Sequence, residues 1–152
     1  MLNFIPFEDI HAQTFKDLNI EWLEAFFVVE PYDELILSNP ETEIINKNGF
    51  IFMTENENGI IGTFAFLKKG EGLFEFSKMA VIPNERGKGY GNQIMQFAIH
   101  FAEQHKWEKI ILYSSTILEN SIYLYRKYGF TEIPIEQDAQ YARGNIKMKL
   151  NL

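Results

Sequence analysis

Seven consecutive residues combine glycine and positive charge in a way that suits the binding of an anion. They are, in order, Arg86, Gly87, Lys88, Gly89, Tyr90, Gly91 and Asn92. Because glycine has no Cβ atom, backbone N–H groups can converge on a phosphate, and a helix that begins there adds about half a positive charge. Spacing excludes two nucleotide motifs, since a Rossmann turn needs glycine in place of Asn92 and a Walker loop needs Ser or Thr after Gly-Lys. The segment predicts a phosphate-binding turn, and the alternative is a glycine-rich helix start without a ligand.

The residues on both sides of this turn predict a strand before it and a helix after it. Alternation over residues 73–82 predicts a strand with Phe74, Phe76, Ala80 and Ile82 on one face and Glu75, Ser77, Met79 and Val81 on the other. An apolar stripe over residues 89–105 indicates a long amphipathic helix. A strand over residues 109–113 follows, so the three elements predict a parallel βαβ unit.

The remaining periodicity predicts a mixed α/β sheet protein. The other predicted helices are residues 10–18, 22–27, 31–37 and 119–128, the third ended by Asn39 and Pro40 and the last by Gly129. The other predicted strands are residues 2–6, 50–54, 60–67, 130–135 and 145–150, the second and third forming an antiparallel hairpin.

Composition and charge restrict the class of protein. A chain of 152 residues fits one domain, and the absence of cysteine excludes disulfides and thiolate chemistry. The net charge of −7 argues against nucleic-acid or anionic-membrane partners, and without an apolar run of span length or a leader-like start we expect a cytoplasmic protein. The charge is uneven: residues 1–60 hold 12 acidic residues and two lysines, a net −10, whereas residues 61–152 hold nine acidic and 12 basic residues, a net +3.

Two segments resemble the GNAT superfamily of N-acetyltransferases. Residues 86–91 resemble its acyl-CoA pyrophosphate motif, Gln/Arg-x-x-Gly-x-Gly/Ala, preceded by a strand ending in Val81 and Pro83. Downstream, residues 124–130 are similar to the family's Leu-Tyr-x-Lys-x-Gly-Phe segment. The resemblance covers about residues 50–150. It implies an α/β fold of the α+β type: a mixed, mostly antiparallel sheet of about seven strands with a parallel βαβ unit and about four helices, whose fourth and fifth strands splay apart.

The resemblance also implies acetyl-CoA as co-substrate. The backbone of Met79, Ala80 and Val81 is expected to bind the pantetheine arm, and residues 86–92 the pyrophosphate. Many members carry an asparagine where this chain has Leu118, and Asn120 is the nearest one for a cofactor role. The alternative for Asn120 is an ordinary helix N-cap. We expect no metal site, because the three histidines show no ligand spacing.

Two side chains are the candidates for proton transfer. Tyr125 matches the family's general acid toward the CoA thiolate, and a phenol with a pKa of about 10 is protonated at neutral pH. Its alternative is packing in an apolar helix stripe. Glu75 stands where several members carry a glutamate general base. The alternative for Glu75 is a solvated glutamate on a sheet face. If Glu75 does act as the base, it must be buried, which raises its pKa, or a water relay must carry the proton.

These features predict an N-acetyltransferase that acts on a primary amine of a small molecule or peptide by direct attack in a ternary complex. The acidic first 60 residues are expected to attract the cationic acceptor. Trp22 and Glu30 are expected on one wall of the acceptor site; the alternatives are core packing for Trp22 and solvation for Glu30. Tyr141 and Arg143 follow an acidic loop and are expected at the lip of this site, or else in a solvated loop. A non-catalytic acyl-CoA-binding module is the alternative function, and a homodimer is possible.

Overall fold

A computed structural model describes residues 1–139 and 142–152 of the chain. The strands are β1 Asn3–Pro6, β2 Phe50–Asn56, β3 Gly59–Gly70, β4 Leu73–Val81, β5 Lys109–Ser114, β6 Thr131–Ile133 and β7 Ile146–Asn151. The α-helices are α1 Ala12–Phe26, α2 Pro31–Ser38, α3 Pro40–Glu43, α4 Tyr90–Gln104 and α5 Glu119–Lys127. In the described ranges, no helix is long and apolar enough to cross a membrane.

The seven strands form one mixed sheet in the order β1-β2-β3-β4-β5-β7-β6. The β4–β5 pair is parallel and the five other pairs are antiparallel. The α4 helix connects β4 to β5, as the predicted βαβ unit requires. The architecture expected from the family resemblance is therefore confirmed.

The sheet separates two apolar cores. The core on the α4 side contains the fully buried Phe64, Phe66 and Met95 among others. The core on the α1 and α2 side contains the fully buried Phe15 and Met53 among others. Strands β2, β3 and β4 thus bury side chains in both cores, which packs them tightly between the helices.

The predicted break between the first two helices, at residues 18–22, is wrong. Residues 10–18 and 22–27 do not form two helices, because a single helix, α1, runs from Ala12 to Phe26. Asn39 and Pro40 do end α2, but Pro40 also occupies the first position of α3, where its missing N–H costs nothing.

The predicted alternation of β4 fails after Ser77. Lys78 has a φ of +57°, and the pairing with β3 changes register between Ala65–Ser77 and Thr63–Ala80. This bulge adds one residue to β4 and reverses the facing of the residues that follow. Ala80 belongs to the core on the α1 side, whereas Met79 and Val81 pack against the core on the α4 side, opposite to the prediction.

Candidate active site

A cleft opens where β4 and β5 separate. The two strands pair only from Leu73 to Glu75 of β4, opposite residues 109–111 of β5. Beyond Glu75 they enclose a cavity of about 500 Å³, lined by both strands, the glycine-rich turn, the end of α1, α5 and residues 143–144. The cavity is the gap between the fourth and fifth strands that the resemblance implies. Its volume is within the range of small-molecule sites.

The glycine-rich turn has the backbone conformation expected of an anion site. Gly87 and Gly89 have φ values of +78° and +81°, in the left-handed region that favours glycine. A Cβ atom at either position would meet no protein atom within 4 Å. The α4 helix begins at Tyr90, and its Asn92 N–H donates to the Gly89 carbonyl at 3.2 Å, whereas Tyr90 and Gly91 stand at the first two positions, where a helix offers an N–H no intrahelical acceptor. The turn therefore presents open space next to backbone donors and a helix N-terminus.

The two basic side chains of the turn are bound to the protein. The Nε atom of Arg86 donates to the Val81 carbonyl at 2.9 Å, and its guanidinium forms an ion pair with Glu21. Lys88 donates to the buried Glu85 at 2.9 Å, and this hydrogen bond raises the pKa of Lys88. The two basic side chains that indicated an anion site thus already have protein partners, Glu21 and Glu85.

Two further side chains of the turn hold neighbouring elements. The Tyr90 hydroxyl accepts a hydrogen bond from Asn56 of β2 at 3.0 Å. The Asn92 side-chain oxygen accepts from Lys127 at 2.9 Å and from the Tyr128 hydroxyl at 3.1 Å, which ties α4 to the end of α5. Asn92 and Lys88 are the two residues of the predicted cofactor set that do not line the cavity.

The β4 edge beyond Glu75 faces the cavity because β5 has diverged from it. Met79, Ala80 and Val81 all line the cavity. The carbonyl of Val81 already accepts the Arg86 hydrogen bond. Gly91 lies close by, and a Cβ atom there would be 3.7 Å from the end of the Met79 side chain and 3.1 Å from Leu124. Glycine at position 91 thus lets α4 start close to α5.

Tyr125 lies on the cavity side of α5. Its ring centroid is 5.9 Å from that of Phe130, and the side chain is half-buried. Burial raises the pKa of Tyr125 to about 12, so the hydroxyl stays protonated throughout the neutral range. The residue both packs in the helix stripe and lines the cavity.

Glu75 is not a solvated residue of the sheet face. It is 4% exposed, and its carboxylate lies 3.4 Å from the Lys69 ammonium. It is the last residue of β4 that pairs with β5, and it lines the same cavity as Tyr125. A buried carboxylate at the point of strand separation has the placement that a general base needs.

Asn120 is not the N-cap of α5. That position is Leu118, and Asn120 is an exposed residue of the first helical turn that lines the cavity. Within the described ranges, no three His, Asp or Glu side chains come together in a way that would hold a metal ion.

The opposite wall contains a buried ion-pair cluster that was not predicted from the sequence. Arg143 donates to both carboxylate oxygens of Asp33, at 2.7 and 2.9 Å, and to Glu30 at 3.1 Å. Lys78 lies 3.6 Å from the fully buried Asp33. Asp33 and Arg143 are 110 residues apart in the sequence, so no local pattern could have indicated the pair.

The cluster shifts the proton equilibria of its members. Burial alone would raise the pKa of Asp33, but the hydrogen bonds from Arg143 and Glu30 and the charges of Lys78 and Arg143 lower it. Burial lowers the pKa of Lys78 to about 8, although Asp33 and Glu75 oppose this shift. Lys78 sits in the bulge of β4, so the irregular backbone places its ammonium in the cluster.

One of the two side chains expected on the acceptor wall lines the cavity, and the other is held in the ion-pair cluster. Trp22 lines the cavity at the end of α1. Glu30 is not solvated, since it binds Arg143 and accepts a hydrogen bond from the Ala142 N–H at 2.8 Å. Because Glu21, Glu30 and Asp33 are all paired with basic residues, the expected attraction of a cation by the acidic first 60 residues is reduced here. Tyr141 lies outside the described residues.

Comparisons with known proteins agree on the family. Residues 47–132 match the model of the acetyltransferase (GNAT) domain. A curated Rattus norvegicus protein named N-acetyltransferase 8F1 is 22% identical over 120 residues, which are 71% of this chain and 54% of the relative. The chain thus spans about half the length of that relative.

Solved structures share the fold over nearly the whole chain. An acetyltransferase of the GNAT family from Staphylococcus aureus Mu50 superposes with a TM-score of 0.86 at 18% identity, covering 99% of both chains. Spermidine N-acetyltransferase from Vibrio cholerae, in complex with CoA and spermine, superposes with a TM-score of 0.74 at 20% identity, covering 99% of this chain and 95% of that one. The chain belongs to the GNAT acetyltransferase family, as the resemblance predicts.

Proposed function

We propose that the protein is an N-acetyltransferase that transfers the acetyl group of acetyl-CoA to a primary amine of a small molecule or peptide. The observation that carries this proposal is the cleft beyond Glu75, which places the glycine-rich turn, a free strand edge and Tyr125 around one cavity. The absence of cysteine from the sequence leaves direct attack by the amine in a ternary complex. The location in the cytoplasm, the single domain and the homodimer stay predictions.

The residues present fit acyl-CoA. Backbone N–H groups at residues 87–91 would bind the pyrophosphate, in the open space that the left-handed glycines leave. The unpaired edge of β4 at Met79 and Ala80 would bind the pantetheine amides. Asn120 and Leu124 of α5 line the other side of this channel. The Vibrio cholerae neighbour was solved with CoA, which supports the same type of ligand here.

Two side chains would move the protons. An amide bond forms to the acceptor nitrogen as the C–S bond of the thioester breaks. Glu75, directly or through a water molecule, takes the proton that the ammonium must lose before it attacks. As the amide forms, the nitrogen releases a second proton to solvent, while Tyr125 gives its proton to the departing sulfur and regains one from solvent. The high pKa of Tyr125 keeps that proton in place before transfer. The two residues belong to different elements that line the same cavity, Glu75 to strand β4 and Tyr125 to helix α5.

The proposal is tested by incubating the protein with acetyl-CoA and a panel of amines and peptides, and detecting acetylated products by mass spectrometry together with free CoA thiol. We expect one or more acetylated amines and an equal amount of thiol. Thermal stabilisation by acetyl-CoA without any product over the whole panel would instead identify the non-catalytic binding module. No stabilisation by acetyl-CoA would contradict both functions.

A further inference from the structure

We propose that the acceptor is an arylalkyl amine, with one positive charge at the reacting nitrogen and an aromatic group beside it. This inference rests on the proposed N-acetyltransferase function and specifies its substrate class. Two features of the cavity carry this inference. The first is the group of aromatic rings at the end of α1, and the second is the pairing of the cavity's charged side chains with other protein groups.

The end of α1 presents aromatic rings to the cavity. Trp22, Phe26 and Phe27 all line it. The Trp22 ring centroid is 5.4 Å from that of Phe26 and 5.6 Å from that of Phe27, so the three form one cluster. Phe26 is 45% exposed, which is high for a phenylalanine at a concave surface. Trp22 and Phe27 are half-buried, and the Arg143 guanidinium lies 5.8 Å from the Phe27 ring centroid, so Phe26 is the ring most open to a ligand. A partly exposed aromatic cluster in a cleft favours an apolar or aromatic ligand group.

The cations of the cavity are paired. Arg86 forms an ion pair with Glu21 and lies over the Phe26 ring, 5.4 Å from its centroid. Lys78 and Arg143 both pair with Asp33. A substrate carboxylate would therefore have to displace a protein carboxylate from a buried partner, which is unfavourable.

The carboxylates of the cavity are paired as well. Asp33 is held by Arg143 and Lys78. Glu75 pairs with Lys69, and Glu85 with Lys88. A polyamine gains affinity from carboxylates that are free to bind its additional ammonium groups. Paired carboxylates offer less to a second ammonium, so the wall favours an acceptor with a single charge.

A set of four amines tests the two parts of the inference separately. They are 2-phenylethylamine, ethylamine, L-phenylalanine and spermidine, assayed by thiol release at saturating acetyl-CoA and one pH. Ethylamine lacks the ring, L-phenylalanine adds a carboxylate, and spermidine adds positive charges. We expect kcat/KM for 2-phenylethylamine to exceed that of each other amine by at least about tenfold. Ethylamine within threefold would overturn the aromatic part, and preference for L-phenylalanine or spermidine would overturn the single-charge part.

Direct binding separates a failure of this inference from a failure of the proposed function. Calorimetric titration of the protein–CoA complex with the same amines needs no turnover. If no amine is acetylated but 2-phenylethylamine binds about tenfold more tightly than ethylamine, the function is wrong and the character of the wall stands. If an amine is acetylated but the order of affinities is reversed, the function stands and this inference is wrong.

A pair of variants locates the preference in the wall. Phe26→Ala is expected to reduce kcat/KM for 2-phenylethylamine about fivefold to tenfold, mainly through KM, and to leave that for ethylamine within twofold. Leu35→Ala is the control, because Leu35 is similarly exposed, at 46%, and lies on α2 outside the cavity lining. Equal effects of Phe26→Ala on the two amines, or equal effects of the two variants, would contradict the assignment.

Discussion

The two sides of the cleft are built in opposite ways. On the side proposed for the cofactor, one continuous segment, residues 86–91, supplies the turn, and its backbone conformation leaves open space beside it. On the acceptor side, side chains from α2, β4 and the segment before β7 converge in the cluster of Asp33, Lys78 and Arg143. Changes to this cluster should therefore affect folding, whereas changes on the proposed cofactor side should affect ligand binding and turnover beyond any effect on folding.

The largest effect is expected from Asp33→Asn, which removes the anion that holds two buried cations. We expect the free energy of unfolding to fall by about 3 kcal/mol in urea titrations at pH 7. Glu34→Gln is the control, since Glu34 forms an exposed pair with Lys16 at 3.3 Å and its replacement should cost much less stability. Because the folded-state pKa of Asp33 is lowered, wild type should lose this stabilisation only as the pH falls below about 4.

The variant Lys78→Met tests the same wall through the pH dependence of the free energy of unfolding. The folded-state pKa of about 8 lies below the unfolded value, so the unfolded state binds the proton more tightly between pH 8 and 10.5. The free energy of unfolding of wild type should therefore rise over this interval, relative to Lys78→Met, on the order of 3 kcal/mol. Comparison with Lys47→Met, which removes an exposed ammonium, separates the effect of burial from that of net charge. Parallel curves for wild type and Lys78→Met would contradict the burial of a charged Lys78.

On the cofactor side, Tyr125→Phe should reduce turnover without reducing stability. We expect kcat to fall about 100-fold, while the Kd for CoA changes less than twofold, because the hydroxyl acts on the leaving sulfur. Tyr123→Phe is the control on the same helix, 72% exposed and outside the cavity lining. Since the pKa of Tyr125 is about 12, its ionisation should not reduce activity below about pH 10. Equal losses of kcat and of CoA affinity would argue for a packing role.

The smallest effect is expected from Gly89→Ala. A Cβ atom at φ +81° costs about 1–2 kcal/mol of stability and projects into the space assigned to the pyrophosphate. We expect acetyl-CoA to bind about tenfold more weakly. Gly59→Ala is a matched control, because Gly59 also has a positive φ, +99°, with no atom within 4 Å of its Cβ position, and lies outside the cavity. The two variants should lose similar stability, and unchanged acetyl-CoA affinity in Gly89→Ala would remove the turn from the site.

The features that the sequence predicted and the features that it did not also lie on different sides of the cleft. The turn at residues 86–91, the strand before it and α4 after it are local patterns, and all three are present. The bulge at Lys78 was not predictable, because a lysine in a strand gives no signal that its φ is positive. The pairing of Asp33 with Arg143 depends on the finished fold, and summed charges over residues 1–60 could not reveal that the acids near the cleft are neutralised.

Lys78 can be regarded as a single inserted residue in β4. If it were deleted, the residues before and after it would keep their present faces, and the strand would become regular. A regular β4 would bend less and could continue its pairing with β5 past Glu75, which would narrow the cavity. One additional residue in one strand thus provides room between the strands, and we expect its removal to affect the enzyme more than replacement of its side chain.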